Sequence, residues 1–191
     1  MDLRSFLSEK RQAVLERWLD YVLSSYPSQT AEFLKNRKNQ FANPVGNIIS
    51  EGIGGVFDAV LADLEAGGQS DSGVADFLEN IIKVRAIQDF SASEALGFVF
   101  FLKRAVRGEI DALGEDGEGF YKELGRLDGS VDKIALAAFD VYVRCREKIY
   151  ELKADEVRKH TFRLLQQANL ICETLPRKGG ENDDNPEEKI G

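Results

Sequence analysis

The chain has little of the residue types that carry most metal and redox chemistry: one histidine and two cysteines in 191 residues. His160 lies in the polar turn KADEVRKHTFR, with Glu156 four residues before it. A haem pocket of the globin kind needs a proximal histidine held between helices, and a di-metal carboxylate bundle needs Glu-x-x-His twice. Neither pattern occurs. Ser-His-Asp and Cys-His sets gain no support from spacing either, so no catalytic residue, metal ligand or cofactor is expected. His160 reads as a solvent-exposed or interface residue. Cys145 and Cys172 stand 27 residues apart in a stretch that reads as one helix, which separates them by roughly 40 Å. They are expected to be packing residues, since no CxxC spacing supports zinc or redox use.

Long apolar runs are also absent, as is any excess of basic charge. No stretch of 18 apolar residues occurs, and the N-terminus MDLRSFLSEKRQAVLERW mixes charges into its first turns. A membrane span and a secretory signal are therefore not expected, and the cytoplasm is the expected compartment. Lysine and arginine number 25 against 33 acids, a net charge of −8. Nucleic-acid binding needs a concentrated basic face, so no nucleic acid is expected as a partner. Five acids and one lysine in residues 181–191 supply part of that charge. With almost nothing apolar to bury, residues 177–191 read as an acidic disordered tail after a single domain of residues 1–176.

What is present is helical periodicity. Leu3, Phe6, Leu7, Val14, Trp18, Tyr21 and Val22 mark an amphipathic first helix over residues 3–25, closed by Pro27. A short helical piece follows near residues 31–41. Asn43 is a good N-cap and Pro44 suits the first helical position, so a helix is expected from there to about Glu65. Another runs from Val74 to near Asp89. Ser91 and Glu94 have capping-box spacing ahead of a run, Leu96 to Leu102, that is apolar nearly all round and is expected to be buried on every side. Residues 114–119 read as a glycine-rich acidic loop, with a short helix over residues 120–124. No proline or glycine interrupts residues 130–175, which read as one long terminal helix. No segment alternates at period two. The fold class is all-α, a helical bundle or globin-like packing without haem, ending in a long C-terminal helix.

Three features invite a functional reading. Gly52, Gly54 and Gly55 fall about two turns inside a helix already started at Asn43 and Pro44, whereas a phosphate-binding loop places its glycines before the helix. Close approach of a crossing helix is the expected reason for them, since each glycine costs a helix about 1 kcal/mol relative to alanine. The helix start at Asn43, Pro44 and Gly46 remains a candidate for a small anion. Arg85 and Asp89, spaced i and i+4, form either a buried polar pair lining a pocket or, as expected, an ordinary surface ion pair. Finally, Val157, Thr161, Leu164, Ala168, Ile171 and Leu175 step by four and three, a coiled-coil-like seam under three heptads long. Such a stripe is costly to leave in water and is expected to pair with its own copy or a partner helix.

The segments FANPVGNIISEGI and IIKVRAIQDFSASEALGFVFFLK, with the long terminal helix, resemble the RsbRD N-terminal domain family, the input domain of co-antagonists in bacterial stress signalling. The resemblance runs from about Leu3 to Leu175. It implies a haem-free, globin-like sensory or scaffold module that dimerises and passes a signal along its last helix to a STAS domain. Here Pro176 and the acidic tail follow Leu175, so the chain resembles a stand-alone form, and kinase antagonism through a STAS domain is not implied. Stand-alone forms are similar to small cytoplasmic proteins found with the membrane electron-transfer complex of dissimilatory sulfite metabolism. The expected function is a non-enzymatic regulatory module acting through a homodimer or a protein partner. An accessory role beside the membrane redox complex and a small-ligand sensor are the alternatives.

Overall fold

The computed structural model describes residues 2–35, 43–66, 74–88 and 90–168. Its helices are α1 (Leu3–Glu9), α2 (Arg11–Leu23), α3 (Ser28–Lys35), α4 (Pro44–Glu65), α5 (Val74–Ile87), α6 (Ala92–Asp111) and α7 (Leu124–Gln167), with a 3₁₀ segment at Gly114–Lys122. No strand occurs among the described residues; the fold is all-α. The chain divides into two units, Met1–Tyr150 and Glu151–Gly191, where the sequence suggested one domain to residue 176. The acidic tail lies outside the described residues.

The first unit is built around α2, α4, α5 and α6. The expected first helix is two, separated at Lys10, yet Leu3, Phe6 and Leu7 in α1 and Val14, Trp18 and Val22 in α2 all reach one core. Asp2 caps α1 by accepting from the Ser5 amide at 2.7 Å. Phe6 stacks on Phe120 of the 3₁₀ segment at 4.9 Å. Trp18 is fully buried and donates its indole N–H to the Phe98 carbonyl of α6 at 2.7 Å, so α2 and α6 share a polar contact inside an apolar interface. On the rim, the Arg11 guanidinium grips the Asp58 carboxylate with two bonds of 2.9 and 2.8 Å, tying α2 to α4.

Helix α4 is long and apolar enough to cross a membrane by length and composition. Its Ile49, Ile53, Val56, Phe57 and Val60 are instead packed in the core of the first unit. The glycines explain how α5 packs against it. A Cβ on Gly52 would stand 2.5 Å from the Ile81 Cδ1, and one on Gly55 would overlap the Phe77 ring. Two of the three glycines thus let α5 approach, while Gly54 faces Arg11 of α2 at ordinary contact distance.

Three further departures from the sequence reading have physical causes. Leu96, Phe98, Val99 and Leu102 of α6 are buried, but Phe100 is 46% exposed, so the apolar run is not buried all round. Its ring lies under the Lys103 ammonium at 5.8 Å, and Lys103 in turn bonds Asp132 of α7 at 2.7 Å. The expected loop over residues 114–119 is part of the 3₁₀ segment, which Gly114 enters with a left-handed φ of 62°. Helix α7 starts at Leu124 instead of Ser130, because Leu124, Leu127 and Val131 anchor its first turns in the core and outweigh Gly125 and Gly129.

In the second unit, residues 151–167 are helical, and every described residue but Leu165 and Gln166 is exposed.

Candidate functional site

Asn43 sits at a junction of two helices. Its Oδ1 accepts from the Gly46 amide at 2.8 Å, capping α4 as expected, while its Nδ2 donates to the Phe33 and Leu34 carbonyls at 3.0 and 2.9 Å. One buried amide thereby satisfies orphan groups of both α3 and α4. Pro44 occupies the first turn. A Cβ on Gly46 would collide with the Asn43 side chain and the Leu34 carbonyl. The Gly46 N–H that an anion would take is already bonded, so these three residues hold a helix junction.

Arg85 departs furthest from expectation. It is 0% exposed, not on the surface. Its Nη2 donates to Ser25 Oγ at 2.8 Å and to the Glu94 carbonyl at 3.0 Å, and its guanidinium carbon stands 4.4 Å from the Phe90 ring centroid and 5.2 Å from that of Tyr26. Nε and Nη1 find no hydrogen-bond partner among the described residues. Burial therefore lowers the pKa of Arg85 from its ordinary value, with Tyr26 and Glu94 opposing that shift. Asp89, its sequence-predicted partner, lies outside the described residues. The aromatic residues around the cation hold the α5–α6 corner: Tyr26 packs edge-on to Phe90 at 5.2 Å, and Tyr142 donates to the Phe90 carbonyl at 3.0 Å. Sequence reasoning missed Ser25, Tyr26, Phe90 and Tyr142. The available signal was two aromatics beside helix ends, at Tyr26-Pro27 and Asp89-Phe90.

A second polar cluster lies between the end of α4 and the start of α7. Ser130 donates its hydroxyl to the buried Asp63 carboxylate, beside a cavity of about 210 Å³ that is also lined by Gly125, Arg126, Gly129 and Lys133. No group of three or more His, Cys, Asp or Glu residues placed to hold a metal occurs among the described residues.

On the terminal helix, Val157 is 65% and Leu164 51% exposed, and Thr161, Ala168 and His160 are exposed as well. Ile171 and Leu175, the last two positions of the seam, lie outside the described residues, as does Cys172. Cys145 is free and half-buried, and its thiol pKa is raised chiefly by burial.

Fold and geometry define an all-α protein whose buried polar side chains Asn43, Asp63, Arg85 and Ser130 join one helix to another. The chain belongs to the RsbT co-antagonist protein rsbRD N-terminal domain family, whose model matches residues 12–157. It is also similar to an uncharacterised protein of Archaeoglobus fulgidus, with 26% identity over 150 residues that cover 76% of this chain and 83% of the relative. No solved structure matches it. The family match ends at Val157, where the exposed seam begins.

Proposed function

We propose that the protein is a non-enzymatic regulatory or sensory module of signalling, related in role to the input domains of stress-response co-antagonists. It acts through its terminal helix, on a second copy of itself or on a protein partner. The observation that carries this reading is the exposure of Val157 and Leu164 at coiled-coil spacing on a helix that continues past the family match. Apolar side chains repeated on one stripe are costly in water, and pairing with another helix removes that cost.

Light scattering on the full chain and on a chain ending at Glu156 tests the reading. The expected result is a dimer mass for the full chain that falls toward monomer on truncation. A monomer mass for both would defeat the homodimeric form. Affinity capture with the same two proteins then addresses other partners. Switch-kinase or STAS proteins recovered only with the full chain support stress signalling, and subunits of a membrane redox complex support the accessory role. Partners held equally by both proteins would move the contact off the terminal helix and refute the proposal.

A further inference from the structure

The residues on the seam differ in size in a regular order. Ala154, Thr161 and Ala168 are small, and Val157 and Leu164 between them are large. All five are exposed in the second unit. In a two-helix seam these positions form the layers that meet across the interface, and residues on either side, here Lys153, Arg158, His160, Leu165 and Gln167, flank it.

The two ways of adding a second copy differ in how these layers fill. In a parallel, in-register pair each residue meets its own counterpart. Three of the five layers then set small against small, and interiors tolerate such gaps poorly. The same arrangement places Lys153 of one copy beside Arg158 of the other, twice by symmetry, and like charges at flanking positions are unfavourable. Arg158 already bonds Asp155 at 3.4 Å, an exposed pair that offsets part of that repulsion and none of the underpacking.

An antiparallel pair removes both faults. We propose that a second copy of this chain covers the seam in antiparallel orientation, with the two-fold axis passing between Thr161 and Leu164. Val157 of one copy then meets Ala168 of the second, and Thr161 meets Leu164. Symmetry repeats both contacts, so four successive layers each combine one large and one small residue. The flanks bring His160 beside Gln167 and Arg158 beside Leu165, with no like charges opposed. Small residues in every layer let the two helices approach toward the lower end of the usual 8–10 Å spacing. This inference rests on the homodimeric form of the function proposed above and adds to it an orientation and a register.

Cysteine cross-linking reads the orientation directly. In the antiparallel pair the two copies of Val157 are displaced along the axis by about 16 Å, from 11 residues at about 1.5 Å each, beyond disulfide reach. Val157 and Ala168 of opposite copies are adjacent. The full chain is prepared with Cys145→Ala and Cys172→Ala, and Val157→Cys and Ala168→Cys are added to it separately. The expected result is that neither variant alone forms a disulfide-linked dimer under mild oxidation, whereas an equilibrated mixture does, with the 157–168 linkage identified by peptide mass. Dimers linked by Val157→Cys alone would show a parallel seam and overturn the inference while leaving the dimeric function intact. A dimer by light scattering that cross-links in none of the three samples would put the interface elsewhere and overturn it too. A monomer by light scattering, before any oxidation, would defeat both the inference and the homodimeric reading beneath it.

Discussion

Alanine at Gly97 should stabilise the protein and alanine at Gly52 should not, although both residues lie inside helices. Replacing glycine by alanine within a helix gains about 1 kcal/mol from backbone entropy. At Gly97 a Cβ meets nothing within 4 Å, so that gain stands alone. At Gly52 the new carbon would lie 2.5 and 2.6 Å from Cδ1 and Cγ1 of Ile81 and 3.3 Å from the Phe77 carbonyl. Ile81 is fully buried, so its side chain has no solvent to swing into and α5 itself must shift. Overpacking of that kind costs about 1–3 kcal/mol, which leaves Gly52→Ala between roughly neutral and about 2 kcal/mol destabilised after the helix gain is counted. The two variants should therefore differ by about 1–3 kcal/mol. Urea denaturation followed by circular dichroism measures this as a separation of midpoints at similar slope. If Gly52→Ala proved as stable as Gly97→Ala, the view that this glycine exists to admit α5 would be wrong.

Asn43→Ala should lose about 2–3 kcal/mol, since it removes the α4 cap and leaves the Phe33 and Leu34 carbonyls without their donor. Asn43→Ser keeps a capping oxygen without setting a second acceptor against those carbonyls, and should fall between the parent and Asn43→Ala in the same urea assay. Ser130→Ala takes away the hydroxyl that donates to the buried Asp63 carboxylate, with an expected loss of about 1–3 kcal/mol; a variant as stable as the parent would contradict that role. Burial raises the Tyr26 phenol above its ordinary value, with Arg85 offsetting part of the rise. The neutral phenol is favoured in the folded state, so this contribution is complete below the unfolded pKa of about 10 and is lost as pH rises through the folded value. Tyr26→Phe should accordingly flatten the alkaline fall in stability, measured by denaturation at successive pH values above about 9.

Features decided within one turn of helix were legible in the sequence. The cap at Asn43 and the capping box at Ser91 and Glu94 form as their spacing indicates, with Ser91 N–H donating to Glu94 Oε2 at 2.9 Å. The break at Lys10 was hidden because the apolar positions on both sides keep pointing to the same core. Gly125 and Gly129 disguised the start of α7, since their helix cost is local while the burial of Leu124 and Leu127 that outweighs it depends on the assembled core. The burial of Arg85 is hidden in the sequence for a related reason. Spacing to Asp89 describes only its own helix, whereas Ser25 and Tyr26, which enclose the guanidinium from the end of α2, are brought to it by the tertiary fold. Phe100 reads as core in the sequence, yet stands half-exposed, because an apolar run does not say which neighbours α6 will have.

The indole of Trp18 has a practical consequence. It is the only tryptophan in the chain, it is shielded from water, and its N–H is fixed on the Phe98 carbonyl of α6. The unaltered protein thus contains a single tryptophan, excitable at the red edge apart from its five tyrosines, at the α2–α6 contact, and its emission should be blue-shifted in the folded state. A ligand or partner that parts those helices would wet the ring and move the emission to the red. One that acts only on the second unit, leaving that contact closed, would leave the spectrum unchanged, so one label-free titration separates an effector that opens the core from one that does not.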